Sequence, residues 1–334
     1  MSELVTKAGL AEYEAFISAH PKGHFAQYAR FKAQYPATEV LLSIGGWTYS
    51  GLFSKMSLTA ESRAGFIQSC IEAIQAYPFL DGIDLDWEYP GIHRRATKAD
   101  EGSPMVGDDW TNYTALLREM RAALDETFGQ GVKRLTVCAP AAPSNLRKQD
   151  YPSLHPYVDA INLMTYDLAT STKRTAHHSP LYGSNSAHTA VQFLLTVGVP
   201  AEKICIGTPL YNHGWKQVAL DGQLIGAAAS GANHGGDMLW ETLARFEAEA
   251  VPDGTPGWHM GYDETAHGAY LWNDDPASPY YRNLLTYDSA RSLDAKLEYI
   301  ITQQLGGIIV WQAGGDDAAA GWPMITRMHQ KLHP

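Results

Sequence analysis

The segment DGIDLDWEYP, Asp81 to Pro90, holds the residues whose types and spacing most directly imply chemistry. Apolar residues between the acids mark it as a strand, and strand side chains alternate between two faces. Asp84, Asp86 and Glu88 therefore fall in line on one face, while Ile83, Leu85 and Trp87 point the other way, toward packing helices. Three carboxylates on the inward face of a strand are very costly for a merely structural role. Like charges at close range cannot all ionise, so at least one pKa must rise. A carboxylic acid kept protonated near neutral pH is what a general acid needs. Glu88, the C-terminal member, is nearest the end where barrel strands open their sites and is the natural proton donor. A surface acidic strand is disfavoured because the intervening apolar residues need cover on both faces. A divalent-metal site is disfavoured because the acids are arranged too linearly.

Such a set needs a rigid frame, and the sequence supplies one. Short β-branched runs occur at Glu39–Ile44, Asp81–Trp87, Leu135–Ala139, Val158–Met164, Ile204–Thr208 and Gly307–Trp311. Between them lie apolar stripes at helical spacing: Phe66, Ile67, Cys70, Ile71 and Ile74; Tyr113, Leu116, Leu117, Met120 and Leu124; Leu293, Leu297, Ile300 and Ile301. Strand–helix alternation of this kind predicts a parallel sheet with right-handed crossovers. One interval breaks the rhythm. Ile204 to Ile308 spans roughly 100 residues, where one crossover needs about 30. The excess, residues 212–283, is rich in glycine and in aromatics that include Trp215, Trp258 and Trp272. It is too long for an unstructured loop and predicts an inserted α+β subdomain beside the mouth of a barrel. Residues 1–211 and 284–334 then form the barrel domain.

Composition narrows the partners. The chain of 334 residues carries 36 acidic against 25 basic side chains, a net charge of −11, which disfavours nucleic acid and anionic membrane surfaces. Nine Trp and eighteen Tyr accompany nine Phe, so most aromatics carry a polar handle, as sugar-stacking clefts require. Cys70, Cys138 and Cys205 are far apart and read as buried free thiols, with no Cys-x-x-Cys pair for zinc or redox work. His177 and His178 are adjacent but have no ligand cluster nearby in sequence, so neither a metal nor any other cofactor is expected. The first residues contain no signal-peptide pattern, and no run is apolar enough to span a membrane.

Asp81, Asp84, Asp86 and Glu88 match the DxxDxDxE signature of glycoside hydrolase family 18, the chitinases. SIGGW (Ser43 to Trp47) resembles that family's third-strand signature, MTYD (Met164 to Asp167) its sixth-strand signature, and Trp311 the tryptophan ending its last strand. The matches run in order from about Lys22 to Asp317 and look like the bacterial type with an α+β insertion. The resemblance implies a TIM (β/α)8 barrel and substrate-assisted retaining hydrolysis of chitin or chito-oligosaccharides, an exception to the two-carboxylate scheme. It makes Glu88 the acid/base, with Asp86 orienting the substrate's 2-acetamido group, Asp84 sharing a proton with Asp86, and Tyr166 bonding the acetamido carbonyl. It makes Trp47, Trp87, Tyr89, Met164, Asp167, Tyr211 and Trp311 sugar contacts. It also implies an extracellular enzyme.

Two departures stand out. After Tyr211 the chain reads NHG where the family commonly has Gly-Arg, so His213 takes the arginine's place. Ahead of SIGGW only helical text is found, such as HFAQYARFKAQY, with no counterpart of the first two barrel strands. Either the barrel is N-terminally shortened, or a protein partner or a different packing closes it. An open barrel leaves strand edges unpaired, which predicts association or reduced stability. Two other activities fit the motifs: a chitin-binding lectin that has lost the chemistry, disfavoured by an intact Glu88, and an endo-β-N-acetylglucosaminidase acting on N-glycans.

Overall fold

All six predicted strands form, each within two residues of its predicted start, in a computed structural model that describes residues 14–19, 22–98, 100–220, 222–231, 238–252 and 254–334. The chain divides into two units, Met1–Ala139 with Arg147–Ile161, and Pro140–Leu146 with Asn162–Pro334.

In the first unit, β1 (Leu41–Gly45), β2 (Gly82–Asp86) and β3 (Arg134–Pro140) pair in parallel, in that order. The register sets Ser43 beside Asp84 and Asp84 beside Thr136. All of β2 is buried, as a central parallel strand covered on both faces should be. Helix α1 (His24–Gln34) precedes β1, α2 (Ala60–Ala76) joins β1 to β2, and α3 (Asp109–Phe128) joins β2 to β3. Thr59 opens α2 with a capping box completed by Ser62, and Asp108 caps α3. Ile67, Cys70, Ile71 and Ile74 on α2, and Tyr113, Leu116, Leu117, Met120 and Leu124 on α3, are buried as their spacing predicts.

The first acid of the motif has a structural task. Asp81 Oδ2 accepts the Val40 backbone N–H at 2.7 Å and pairs with Lys32 Nζ at 2.7 Å, while Lys32 also donates to the Thr38 carbonyl at 2.6 Å. One carboxylate thereby fixes the start of β1 and ties α1 to β2.

The strand β4 (Ala160–Met164) ends the first unit and opens the second, where β5 (Ile204–Pro209) pairs in parallel with a strand near the C-terminus, Gly307–Trp311. Between those two lies an antiparallel sheet of β6 (His213–Trp215), β7 (Trp258–Asp263), β8 (Gly268–Asn273) and β9 (Leu284–Tyr287), in the order β6-β9-β8-β7. The C-terminal parallel strand is thus β10. The antiparallel sheet includes β9, which lies just beyond residue 283. Helix α4 (Ala187–Thr196) precedes β5, and α5 (Trp240–Ala248) covers the antiparallel sheet with Leu243 and Phe246, which pack with Trp258, Leu271 and Leu285. Helix α6 (Ala290–Gln303) buries Leu293, Leu297 and Ile300, but Ile301, predicted on the same stripe, is 51% exposed. At about 100° per residue Ile301 starts the next face of the helix. Lys296 of α6 is fully buried and satisfied by Asp288, by the Ser179 hydroxyl at 2.6 Å and by the Gly207 carbonyl at 3.3 Å. No described helix is long and apolar enough to cross a membrane.

Candidate active site

The predicted site residues gather in two groups, one in each unit. In the first, Asp84 is held by its strand neighbours. Its carboxylate accepts the Ser43 hydroxyl from β1 at 2.7 Å and the Thr136 hydroxyl from β3 at 2.6 Å, and Cys138 Sγ lies 3.6 Å from Oδ2. Asp86 is 9% exposed, and its Oδ1 is buried without a hydrogen-bond partner. Burial first, and then the charges of Glu88 and Asp84, push its carboxyl up to about 7. The predicted like-charge crowding is therefore relieved at Asp86, the middle acid. Glu88 is 8% exposed and lies beyond the end of β2; its backbone N–H donates to Ser50 Oγ at 2.8 Å. Ser50 Oγ in turn donates to the Gly46 carbonyl at 2.8 Å, so the chain carrying Glu88 is pinned to the SIGGW turn. That turn needs glycine at position 45, where φ is +116° and a Cβ would collide with the Asp86 carbonyl.

The aromatics of this group separate by burial. Trp47 is 52% exposed and carries the Arg94 guanidinium 3.9 Å above its ring; Arg94 also donates to the Trp47 carbonyl. Asp100 pairs with Arg94 at 2.5 Å and steadies it. Tyr89 is half-buried. Trp87, expected as a sugar contact, is fully buried, stacked on Phe53 with centroids 5.4 Å apart and edge-on to Tyr113. It is a core residue, as the alternation along β2 places it, and has no surface to offer a ligand.

In the second group, Tyr166 is 9% exposed with its ring edge-on to Tyr211, centroids 6.3 Å apart. A Cβ on Gly207 would come within 2.6 Å of the Tyr166 ring, so the glycine on β5 makes room for it. Asp167 follows in the left-handed region, φ 56°, which turns its carboxylate onto three side chains. Oδ1 accepts the Tyr211 hydroxyl at 2.7 Å and sits 2.9 Å from His213 Nε2 and 3.7 Å from His178 Nδ1. Burial raises the Asp167 carboxyl, but His178, His213 and Tyr211 outweigh it and hold the group below the usual carboxylate range. Burial, with the Asp167 charge, raises the Tyr211 phenol, so it stays a donor. Met164 is half-buried at the end of β4, and Trp311 is 55% exposed at the end of β10. Of the insertion's tryptophans, Trp215 and Trp258 are core residues, while Trp272 stacks half-buried on His259.

Thr136, Cys138 and Ser50 carry no site signal in the sequence, and Ser43 enters only as the first residue of the SIGGW motif. Their signal is the strand register, which puts Ser43 and Thr136 level with Asp84. His178 was set aside because no ligand stands near it in sequence. In the fold it faces Asp167, with its ring stacked 4.6 Å from that of His213.

The chain matches the family model described as Glycosyl hydrolases family 18 over residues 3–316. It is 30% identical to Chitinase A of Pseudoalteromonas piscicida over 89% of this chain and 40% of that protein. It is also 30% identical to Chitinase A1 of Niallia circulans over 88% of this chain and 43% of that protein. It therefore spans less than half the length of these two relatives. Among solved structures it resembles a family 18 N-acetylglucosaminidase from Paenibacillus barengoltzii, with a TM-score of 0.78 and 30% identity over 93% of this chain and 87% of that one.

Proposed function

The chain belongs to glycosyl hydrolase family 18, and from that membership we propose that it hydrolyses β-1,4-linked N-acetylglucosamine in chitin and chito-oligosaccharides by substrate-assisted retaining catalysis. Glu88 protonates the leaving glycosidic oxygen while the substrate's own acetamido oxygen attacks the anomeric carbon, giving an oxazolinium ion. Asp86, protonated near neutral pH, gives up its hydrogen toward Asp84, and the resulting carboxylate orients the acetamido N–H and stabilises the positive intermediate. Asp84, already accepting from Ser43 and Thr136, is the fixed end of that exchange. Tyr166 bonds the acetamido carbonyl, and Asp167 and Tyr211 hold the sugar. Water, activated by Glu88 now acting as base, opens the ring and retains the anomeric configuration. Trp47, Tyr89, Met164 and Trp311 supply surface for sugar rings. Residues 212–283 form a subdomain that deepens the cleft as one wall. By resemblance to the family, the enzyme works outside the cell.

The observation that carries this reading is three buried carboxylates in line along β2 and just past its end, with Asp86, its Oδ1 unpartnered, between a hydroxyl-clamped Asp84 and Glu88. The test is release of a chromophore from di- and tri-N-acetylglucosamine substrates. The Glu88→Gln variant should lose at least about 100-fold in kcat, the scale of general acid catalysis, while oligosaccharide binding persists. No turnover by the natural chain with binding intact would make it a lectin. Undiminished hydrolysis by the variant would move the acid to another residue.

A further inference from the structure

Three side chains of the second unit, Asp167, His178 and His213, present one carboxylate oxygen and two imidazole nitrogens that all lie within 4.8 Å of one another. We propose that they form a binding site for one divalent transition-metal ion of the borderline class, zinc in particular. Two imidazoles and a carboxylate are a donor set suited to zinc, copper or nickel and poorly suited to calcium or magnesium. A tetrahedral ion bound at about 2.05 Å keeps its ligand atoms roughly 3.3 Å apart. The separations from Asp167 Oδ1, 2.9 Å to His213 Nε2 and 3.7 Å to His178 Nδ1, bracket that value.

The independent sign is His178. Its side chain is 1% exposed, and neither ring nitrogen has a hydrogen-bond partner. A buried imidazole with two unsatisfied nitrogens is costly, and the 3.7 Å gap to Asp167 is too long for a hydrogen bond to relieve it. A shared ion would. The His178 and His213 rings stand nearly parallel, 4.6 Å apart, so one must turn for both lone pairs to meet the ion; His213, its side chain 30% exposed, is the one free to swing and gives the ion a path in. The fourth position belongs to water. His213 replaces the arginine of the resembled motif, and arginine, always charged and without a free lone pair, could not serve as a ligand.

The inference rests on this cluster and not on the hydrolytic reading, so its test is binding. Chelator-treated protein is titrated with zinc chloride, by calorimetry and by competition with a chromophoric chelator, and separately with cobalt(II), whose visible absorption reports tetrahedral coordination. One equivalent should bind. His213→Ala and His213→Arg should weaken binding on the order of 100-fold and erase the tetrahedral cobalt spectrum. His178→Asn should do the same, and the partly exposed His213 variants keep the result readable if it fails to fold. Glu88→Gln should bind zinc like the natural chain. His329→Ala serves as the control, because His329 on the helix Pro323–Leu332 and His333 just past its end, ring centroids 5.2 Å apart, are a competing surface pair. Absence of saturable binding overturns the proposal, as does binding lost in His329→Ala but kept in His213→Ala.

Discussion

Asp86 is where the crowding of charge on β2 is resolved, and its titration has consequences that can be measured. The folded chain holds the Asp86 proton up to about pH 7, whereas an unfolded aspartate releases it near 3.8. Between those values the native state binds more protons than the unfolded one, so this group's contribution makes stability fall as pH rises, and the full penalty is in place above about 7. Asp86→Asn removes the titration. Urea midpoints measured from pH 4 to 8 should show the variant's advantage over the natural chain growing through that window, by an amount on the order of a few kcal/mol. A difference that stays constant with pH would show that Asp86 titrates normally. In kinetics the same variant should lose turnover far more than oligosaccharide affinity, and equal losses would reduce Asp86 to a binding residue. The three acids were legible from period-two alternation alone. Their hydroxyl and thiol neighbours were not, because Ser43, Thr136 and Cys138 come level with Asp84 only through the register between strands. Trp87 was misassigned by resemblance, although the alternation that aligned the acids already turned it inward.

At the scale of elements, the acid-bearing strand is anchored at its other end. Lys32 has a side chain only 6% exposed, and Asp81 is its ion-pair partner as well as the acceptor for Val40. Removing the carboxylate strands a nearly buried ammonium and an amide together, which costs far more than a surface ion pair is worth. Asp81→Ala should destabilise the chain by about 3 kcal/mol in denaturant unfolding, and Asp81→Asn, which keeps an acceptor for Val40, by clearly less. A loss under about 0.5 kcal/mol in the alanine variant would return the pair to the surface class. The helices were legible through their stripes, whereas their caps, Thr59 with Ser62 on α2 and Asp108 on α3, came to light only in the fold. Ile301 was misplaced because an apolar run gives the period of a helix but not the width of its buried face.

Over the whole molecule, the succession of the six parallel strands and of helices α1, α2, α3 and α6 was readable in the sequence, whereas α4 was not. The interval from β5 to β10 was visibly too long for one crossover. Its antiparallel pairing was not readable, because β6 and β9 are about 70 residues apart in sequence and joined by register rather than by a turn. Nor was the fate of its aromatics, since Trp215 and Trp258 turned out to be buried core residues. The two outermost parallel strands carry the remaining tension. Among the described residues β1 has β2 as its one strand neighbour, and β10 has β5. Unlike β2, both are mostly half-exposed along their apolar positions. Such edges invite further strand pairing, whether from a partner protein or from a second copy. Sedimentation of the purified chain should show concentration-dependent association, and lysine placed at Leu42 or Ile309 should suppress it. A monomer at all concentrations would show the edges to be protected.

The hydroxyl-and-thiol clamp on Asp84 has one more effect, on the reactivity of the chain toward alkylating agents and air. Burial, with the neighbouring carboxylates, raises the Cys138 thiol well above its ordinary range; burial also pushes Cys70 up to about 12 and Cys205 to about 11. The nucleophile in alkylation and oxidation is the thiolate, so in the folded state all three sulfurs should react slowly. They become reactive only when the surrounding strands and helices open. Iodoacetamide uptake is therefore a clock built into the protein: Cys138 times the opening of the acid-bearing strands, Cys70 that of the first crossover helix, and Cys205 that of the second unit.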